Sequence, residues 1–400
     1  MKIVQINATC GAGSTGKICV AIAELLDKAN VENYIFYSAG KSLDLHGIKF
    51  TSKWYVKWQA LLSRIFGNYG FNTYFATVKM LKKLDEISPD IVHLHNLHGH
   101  NVNLPLLFRY FKKHPQIKLF WTFHDCWAFT GYCTHFTIEK CRTWIYGCRD
   151  CVQRRRFSWF FDNSDKLYRQ KKELMQGLNM TVITPSEWLA DLVHQSFLKA
   201  CPVKVINNGI DLTVFKLTDS DFREKYRIPK DKFLLLGVAF DWGMPKGLDV
   251  FVELAAKLPK VYQIVLVGTN ESVDRQLPDN ILSIHRTHDQ KELAEIYSAA
   301  DLFVNPTRED NYPTVNMEAI ACGTPVLTFR TGGSPEMLNE KCGRVVECDD
   351  VEALIKEIIE IKNTNCFDRR ECAAQAARFD LNERFAEYIN LYDIRAEEKE

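Results

Sequence analysis

The chain has 400 residues, of which 46% are hydrophobic and 25% are charged, and this composition excludes a disordered or fibrous protein. Its length is too great for one ordinary core and suggests two domains. The formal net charge of +1 argues against a nucleic-acid-binding protein. No apolar run reaches about 18 residues and Met1–Val4 leads directly into a predicted strand, so we expect neither a transmembrane helix nor a signal peptide. Thirteen cysteines without a secretion signal favour free thiols in a reducing compartment, and hence a cytoplasmic protein.

A glycine-rich loop follows the first predicted strand, Lys2–Ile6, and precedes a predicted helix. Gly11, Gly13 and Gly16 have the spacing that lets a backbone approach a pyrophosphate at a helix start, as in dinucleotide sites. The acid that such a site needs after the second strand is missing, since the chain continues from Tyr37 into Ser-Ala-Gly. The three glycines are therefore candidate substrate-binding residues, and plain turn geometry is the alternative.

Residues 53–83 combine basic and aromatic side chains. Between Leu45 and Leu84 the chain has seven Lys or Arg residues and no Asp or Glu. Basic helices with Trp and Phe bind anionic membrane surfaces by apolar insertion and Coulomb attraction, which predicts peripheral attachment to the inner membrane face. The alternative is that the aromatic side chains fill the domain core and the lysines form a solvated rim. The side chains concerned are Trp54, Tyr55, Trp58, Ile65, Phe66, Tyr69, Phe71, Tyr74 and Phe75.

Two further predicted strands end in histidines. The apolar run Ile91–Leu94 precedes His95, and Leu119–Phe123 precedes His124 and Asp125. Ligands of α/β proteins bind at the carboxyl ends of parallel strands, so both histidines are expected at that edge. A lone histidine is more often structural than catalytic. His124 has an adjacent acid and is the stronger candidate to contact a substrate.

A cysteine-rich insertion is predicted at 126–151. Four cysteines within 19 residues could bind a structural zinc ion tetrahedrally, although the spacing contains a single Cys-x2-Cys pair. Free packed thiols are one alternative, and disulfide or redox use is another. The four residues are Cys133, Cys141, Cys148 and Cys151.

The second half contains a strand–loop–helix–strand unit at 301–336. An apolar run is followed by a polar loop, then by a helix that Gly323 and Pro325 end, and then by a second apolar run. Asp310 and Glu318 frame the loop and the helix start, where free backbone N–H groups suit a phosphate. Acids in this position can accept hydrogen bonds from sugar hydroxyls. The alternative is that Asp310 caps a turn and Glu318 lies on a solvated face.

This unit carries a specific resemblance. Asp310, seven residues and then Glu318-Ala-Ile-Ala-Cys-Gly-Thr-Pro-Val326 is similar to the donor-binding signature of retaining nucleotide-sugar glycosyltransferases of family 4, which have the GT-B fold. The family has Glu more often where this chain has Asp310. Pro185-Ser-x-Trp188 and Asn208-Gly-Ile-Asp-x3-Phe215 resemble the same family, so the resemblance covers nearly the whole chain.

The resemblance implies an α/β protein of two Rossmann-like, doubly wound domains that face a central cleft. We expect an acceptor-side domain at 1–215, which includes the cysteine-rich insertion, and a donor-binding domain at 216–375. The last segment, 376–400, is expected to form a helix that packs back on the first domain.

The resemblance also assigns roles to single residues. Lys246 would bind the donor pyrophosphate, and Asp310, Glu318 and His124 would contact the sugar. The Arg that the family places before this Lys is missing, and Arg308 is a candidate to compensate. We expect no catalytic metal or cofactor, and a UDP- or GDP-linked sugar as substrate. The remaining candidates for donor or substrate binding are Gly11, Gly13, Gly16, Gly268, Arg286, Asn311, Tyr312, Pro313 and Thr314.

The predicted function is transfer of a hexose-type sugar, with retention, to a glycan or lipid-linked acceptor. Synthesis of a capsule, exopolysaccharide or lipopolysaccharide is the expected setting by family analogy. A nucleotide-sugar epimerase or hydrolase of the same fold is an alternative, as is a non-catalytic nucleotide-sugar-binding scaffold. A Rossmann oxidoreductase would depend on the glycine motif alone.

Overall fold

A computed structural model describes residues 1–40, 42 and 46–394 of the chain. The chain divides into two compact units. The first unit comprises Met1–Ile206 together with the C-terminal segment from Phe385, and the second comprises Asn207–Arg384. Within the described ranges, no helix has both the length and the apolarity needed to cross a bilayer.

The first unit is built on a sheet of seven parallel strands in the part of the chain that is described, in the order β3-β2-β1-β4-β5-β6-β7. Its central strands are largely buried because helices cover both faces of a parallel sheet, and every residue of the fourth strand is buried. Val4 pairs with Tyr34 on one side and with Val92 on the other. The strands are β1 (Lys2–Asn7), β2 (Glu32–Tyr37), β3 (Gly47–Lys49), β4 (Ile91–Leu94), β5 (Lys118–Thr122), β6 (Met180–Thr184) and β7 (Val203–Val205).

Helices connect these strands. The helices of the first unit are α1 (Gly13–Lys28), α2 (Lys53–Phe66), α3 (Tyr74–Ile87), α4 (Leu104–Lys113), α5 (Arg154–Phe157), α6 (Ser164–Met175) and α7 (Glu187–Gln195). The aromatic residues predicted at 53–83 divide between the two expected environments. Tyr69 is buried in the core, whereas Trp54, Trp58, Phe66 and Phe75 are exposed.

The second unit repeats the architecture with six parallel strands in its described residues, in the order β10-β9-β8-β11-β12-β13. Its strands are β8 (Phe233–Val238), β9 (Tyr262–Val267), β10 (Ile281–Ile284), β11 (Leu302–Asn305), β12 (Val326–Phe329) and β13 (Gly343–Val346). The remaining helices are α8 (Phe222–Lys225), α9 (Leu248–Lys257), α10 (Glu271–Asp274), α11 (Gln290–Ala299), α12 (Thr314–Ala321), α13 (Val351–Thr364), α14 (Arg369–Ala374) and α15 (Leu381–Leu391). Two parallel, Rossmann-like sheets confirm the predicted fold class.

The unit boundaries differ from the predicted limits of 215 and 376. Residues after β7 belong to the second unit because Phe215 is buried in that unit's core and Ile210 forms a β-bridge with Asp380. The chain returns to the first unit later than predicted, at Phe385. There the hydroxyl of Tyr392 lies 2.5 Å from Nδ1 of the buried His93, on β4.

Candidate functional site

The loops of the second sheet diverge between β8 and β11, because the strand order reverses there. Such a topological switch point forms a crevice at the carboxyl ends of the strands, where α/β proteins bind ligands. Lys246 follows β8 and Asp310 follows β11. The Nζ atom of Lys246 lies 2.5 Å from Oδ2 of Asp310, and both side chains are partly exposed. Two of the residues predicted from the sequence therefore meet at the switch point.

Two glycines allow the loops of this crevice to approach each other closely. Gly268 follows β9 and has a φ of 88°, and a Cβ atom there would lie 1.9 Å from the carbonyl oxygen of Ala239, in the loop after β8. Gly332 has a φ of 54°, and its Cβ would lie 2.0 Å from the carbonyl oxygen of Asp310. Any side chain at either position would displace a loop that carries a candidate residue.

Arg308 is held by two carboxylates. Its guanidinium donates to both carboxylate oxygens of Asp249 at 2.7 Å and to Oδ1 of Asp349 at 2.5 Å. Hydrogen bonds to Asp249 raise the pKa of this guanidinium. Arg308 also donates to the carbonyl oxygen of Met244 at 2.7 Å, so it joins the loops that follow β8 and β11. Whether it replaces the missing family Arg stays a prediction.

The start of α12 has backbone donors and a paired acid. Pro313 is the residue before the helix, and its side chain forms no capping hydrogen bond with the first turn. Asn311 and Tyr312 are buried in the loop just before it, and the N–H group of Asn311 donates to Oδ1 of Asp310 at 2.9 Å. One turn into the helix, Glu318 accepts a hydrogen bond from the hydroxyl of Tyr297 at 3.1 Å. Burial raises the pKa of Tyr297, so this hydroxyl stays protonated and remains a donor.

Three further side chains lie in the loops after β8 and β10. Trp242 lies in the loop after β8 and donates from its indole nitrogen to the carbonyl oxygen of Val267 at 2.9 Å, which anchors the loop. Phe240, two residues earlier, is completely exposed. Arg286 is exposed two residues beyond the end of β10. Its predicted contact with a nucleotide base stays a prediction.

In the first sheet the corresponding switch point lies between β1 and β4. The loop after β1 folds on itself, since Gly11 N–H donates to the carbonyl oxygen of Gly16 at 3.0 Å and the Thr9 hydroxyl donates to that of Ala12 at 2.6 Å. A Cβ on Gly16 would lie 2.7 Å from Oγ1 of Thr9. Helix α1 begins at Gly13 without a capping side chain. The glycines thus form a tight turn at a helix start, a geometry that suits both interpretations made from the sequence.

A chain of hydrogen bonds leads from the sheet to His124. The amide nitrogen of Gln5 donates to the carbonyl oxygen of Cys19 at 2.9 Å, which orients its Oε1 toward Nε2 of His95 at 3.1 Å. Since an amide oxygen only accepts, His95 carries its proton on Nε2 and accepts on Nδ1. Nδ1 lies 3.3 Å from Nε2 of His124. His124 therefore carries a proton on Nε2.

Burial keeps these rings neutral. It lowers the pKa of His124 to about 4, against the opposing effect of Asp125, and lowers that of His95 well below its usual value. His124 is therefore a neutral ring that donates a hydrogen bond from Nε2 and is not a permanent cation. Both histidines were predicted from the sequence, but Gln5 was not. Gln5 lies next to His95 because β1 pairs with β4, and the sequence does not reveal which strands pair.

A hydrogen-bonded histidine and aspartate beside His124 were not paired in the predictions made from the sequence. Nε2 of His98 lies 2.6 Å from Oδ2 of Asp125, and the hydroxyl of Tyr69 lies 3.2 Å from Nδ1 of the same ring. Burial acts to raise the pKa of Asp125, but the charge and hydrogen bond of His98 lower it to about 2. The available signal was the run His93-x-His95-x2-His98, which begins within a buried strand. His98, Asp125 and His124 line the same small pocket.

The predicted structural zinc site is not supported. Within the described residues, no group of three or more His, Cys, Asp or Glu side chains is arranged to hold a metal ion. The Sγ atoms of Cys133 and Cys151 are 4.0 Å apart, while Cys148 accepts from the N–H group of Gly131 at 3.2 Å and Cys141 contacts the Thr143 hydroxyl at 3.3 Å. The four thiols line one pocket with Phe136 and Trp144. They are free cysteines packed against aromatic side chains, which was the alternative weighed from the sequence.

Comparison with known proteins agrees with this architecture. A sequence model described as Glycosyltransferase Family 4 matches residues 16–214, and one described as Glycosyl transferases group 1 matches residues 231–363. The chain belongs to glycosyltransferase family 4. Its two Rossmann-like units are those of the GT-B fold, and it is a glycosyltransferase.

Relatives of this family 4 enzyme span its full length. WcaC of Escherichia coli (strain K12), provisionally named as a colanic acid biosynthesis glycosyl transferase, is 25% identical over an alignment of 422 positions that covers 98% of this chain and 99% of WcaC. The crystal structure of Anabaena Alr3699/HepE in complex with UDP and glucose has a TM-score of 0.70 at 16% identity and covers 98% of this chain and 99% of its own. WaaG, a glycosyltransferase involved in lipopolysaccharide biosynthesis, has a TM-score of 0.65 at 17% identity, with 97% and 99% coverage. Sequence identities as low as those of the two solved structures show a shared fold alone.

Proposed function

We propose that this family 4 enzyme transfers a hexose, with retention of configuration, from a UDP- or GDP-linked donor to a hydroxyl of a glycan or lipid-linked acceptor. The observation that carries the proposal is the meeting of Lys246 and Asp310 at the switch point of the second sheet, 2.5 Å apart. A cation and an acid beside an uncapped helix start are the groups that a sugar diphosphate requires.

In this proposal the second unit binds the donor. The diphosphate accepts hydrogen bonds from Lys246 and from the first backbone N–H groups of α12, after Thr314. Asn311, Tyr312 and Pro313 shape the loop around it, with Gly268 below and Arg286 toward the base. Because Arg308 already contacts two carboxylates, Lys246 supplies most of the local positive charge that the departing diphosphate needs.

The sugar lies against the acids. Glu318, fixed by the Tyr297 hydroxyl, and Asp310 accept hydrogen bonds from sugar hydroxyls and stabilise the positive charge that develops at the anomeric carbon. The bond between the anomeric carbon and the diphosphate oxygen breaks, and the acceptor oxygen bonds to the same face of that carbon. The proton of the acceptor hydroxyl passes to the leaving phosphate oxygen, so the step balances without a further reactant.

The first unit receives the acceptor. His124 donates from Nε2 to its neighbour His95, and its ring contributes a fixed, neutral contact to the acceptor sugar, while Gly11, Gly13 and Gly16 leave backbone room at the carboxyl end of β1. We place the protein in the cytoplasm and, through residues 53–83, at the inner face of the membrane, where lipid-linked acceptors are found. The excess of basic over acidic residues in 53–83 supports this location.

The relatives suggest the donor and the setting. HepE has been solved with UDP and glucose and with UDP-glucose, which favours a uridine nucleotide for this chain. WcaC is named for colanic acid and WaaG for lipopolysaccharide, so we propose a role in a surface polysaccharide such as a capsule, an exopolysaccharide or lipopolysaccharide.

Donor binding and turnover test the proposal. Calorimetry with UDP-, GDP- and ADP-hexoses should identify one donor, and NMR of the product should show the anomeric configuration of that donor retained. Glu318→Gln should lower turnover by at least about a hundredfold, as expected when a stabilising contact is lost in the transition state. The control is Glu347→Gln, an exposed acid of the same unit that pairs with Arg330.

Each outcome has a clear meaning. Inversion at the anomeric carbon would reject retention while keeping a transferase. Turnover with water alone would favour the hydrolase alternative, and binding without turnover across lipid and glycan acceptors would favour a scaffold. Absence of binding to every donor would reject the role assigned to Lys246 and Asp310.

A further inference from the structure

We infer that one surface of the first unit inserts into an anionic lipid bilayer. The surface consists of the exposed side chains of Trp54, Trp58 and Leu61 on α2 and of Trp159, Phe160 and Phe161 after α5, and we call it the Trp-Phe surface. It deepens the proposed membrane location, because it names the elements that contact lipid and includes part of the chain well outside 53–83.

Helix α2 exposes several large apolar side chains, while the side chains that it buries fully are polar. Trp54 is 81% exposed and Trp58 57% exposed, whereas the helix residues that are buried are Gln59 and Ser63. Trp54, Trp58 and Leu61 follow a spacing of four and three residues, so they lie on one face of the helix. A surface helix of a globular protein has the opposite arrangement, with its apolar face toward the core. Two tryptophans and a leucine on the outer face therefore indicate a partner that is not water.

The second element presents three consecutive aromatic side chains. Trp159 is 49%, Phe160 65% and Phe161 53% exposed. The segment is fixed against the end of α2, because Trp159 N–H donates to the carbonyl oxygen of Arg64 at 2.7 Å. Arg64 lies three residues after Leu61, so the apolar stripe of α2 leads directly to the three aromatic side chains.

Side-chain hydrogen bonds hold this junction in place. The amide nitrogen of Asn163 donates to the carbonyl oxygen of Phe66 at 2.8 Å, and the Tyr132 hydroxyl donates to that of Gly67 at 3.0 Å. Asn163 N–H in turn donates to the Tyr132 hydroxyl at 2.9 Å. The aromatic side chains are thus presented by an ordered backbone, which lowers the entropy that their insertion would cost.

The charge around the surface selects an anionic bilayer rather than a second copy of the chain. Lys53, Lys57 and Arg64 lie on α2, and the run Arg154–Arg156 lies just before the aromatic segment. A two-fold dimer through this surface would bring the basic side chains of both copies together, and their repulsion would oppose it. Anionic lipid headgroups instead pair with them while the aromatic rings enter the interfacial region.

Vesicle flotation tests the inference with the full-length protein. We expect the wild type to bind vesicles of equal phosphatidylcholine and phosphatidylglycerol and to bind pure phosphatidylcholine at least about tenfold more weakly. The triple variant Trp159→Ser, Phe160→Ser, Phe161→Ser should bind the anionic vesicles at least about tenfold more weakly than wild type. The matched control is Leu217→Ser with Ile359→Ser, which removes exposed apolar side chains from the second unit. It should bind as the wild type does.

Several results would overturn the inference. These are absence of binding to anionic vesicles, equal binding of the triple variant and wild type, and a wild-type dimer that the same substitutions dissociate on size exclusion. The last result would assign the surface to a second copy. Because the assay uses no nucleotide sugar, it is independent of the proposed transfer reaction, and calorimetry of donor binding to the triple variant would show that its second unit is intact.

Discussion

Lys246 and Asp310 form an ion pair that joins the two diverging loops of the second sheet, with Nζ and Oδ2 2.5 Å apart. Nζ of Lys246 also lies 3.4 Å from the carbonyl oxygen of Glu309, so the loop after β11 supplies both of these oxygen atoms. A bound diphosphate would have to share or replace the contact with Asp310. The pair therefore sets a balance between the contact of Lys246 with Asp310 and the binding of an anion by Lys246.

This balance predicts different effects of two substitutions on nucleotide binding. Lys246→Ala should weaken binding of the nucleoside diphosphate by about 10- to 100-fold, because a charge-assisted hydrogen bond is lost. Asp310→Asn should leave binding unchanged or tighten it, since Lys246 is no longer neutralised, yet it should abolish transfer. Calorimetry and turnover measure the two effects, with Lys341→Ala, an exposed lysine of the same unit, as control. Weaker binding in both variants would contradict this view of the pair.

Gln5 and His95 are predicted to act as positioning residues for His124. Gln5→Leu removes the acceptor that fixes the tautomer of His95, so the ring of His124 loses its defined partner. We expect kcat to fall about tenfold, in line with one buried hydrogen bond, while KM for the donor is unchanged. Gln59→Leu is the control, because Gln59 is also buried and accepts from the N–H group of Thr73. An equal loss of kcat in both variants would mean that Gln5 has a structural role only.

The sequence predicted the parts of this molecule that depend on local pattern. Apolar runs located the central strands, and the pattern at 301–336 predicted a strand and a helix that the structure contains as β11 and α12. The strand-end rule brought His95 and His124 to one edge, and they lie in contact there. Each of these inferences needs only the pattern of a short stretch of sequence and a general rule for parallel strands.

Pairings between distant residues could not be predicted in the same way. Gln5 meets His95 because β1 pairs with β4, and Tyr392 meets His93 because the C-terminal segment returns to the first unit. Lys171 is completely buried, although lysine side chains are mostly exposed in folded proteins. Its spacing on α6 does not reveal the carbonyl groups of Trp127 and Thr130, more than 40 residues earlier, that accept its hydrogen bonds.

The buried histidines should make the first unit sensitive to acid. Burial lowers the pKa of His93 to about 3, whereas an unfolded histidine titrates near about 6.5. As the pH falls through this interval, the unfolded chain therefore binds more protons than the folded chain, and the free energy of unfolding decreases. Between pH 7 and pH 5 we expect a loss of about 2 kcal/mol from His93, with losses of the same sign from His95 and His124.

Urea unfolding of wild type and His93→Gln at the two pH values measures this contribution. The variant should lose about 2 kcal/mol less than wild type between pH 7 and pH 5. Thr122→Val is the control, because it removes a hydrogen-bond partner of His93 without removing a titrating group. It should lower stability equally at both pH values. The same decrease in wild type and His93→Gln would show that His93 does not titrate as described.

Lys171 should stabilise the first unit increasingly as the pH rises. Its Nζ donates to the carbonyl oxygens of Trp127 at 2.7 Å and Thr130 at 3.0 Å, and burial lowers its pKa to about 7. An unfolded lysine titrates near about 10.4, so the unfolded chain binds more protons than the folded chain between these two pH values. From pH 7 to pH 9 the free energy of unfolding of wild type should therefore increase by about 2 kcal/mol relative to that of Lys171→Met. Thermal unfolding measures this difference. Lys172→Met, at the exposed neighbouring position, should change stability by less than about 0.5 kcal/mol, and a similar pH response in both variants would contradict the assignment.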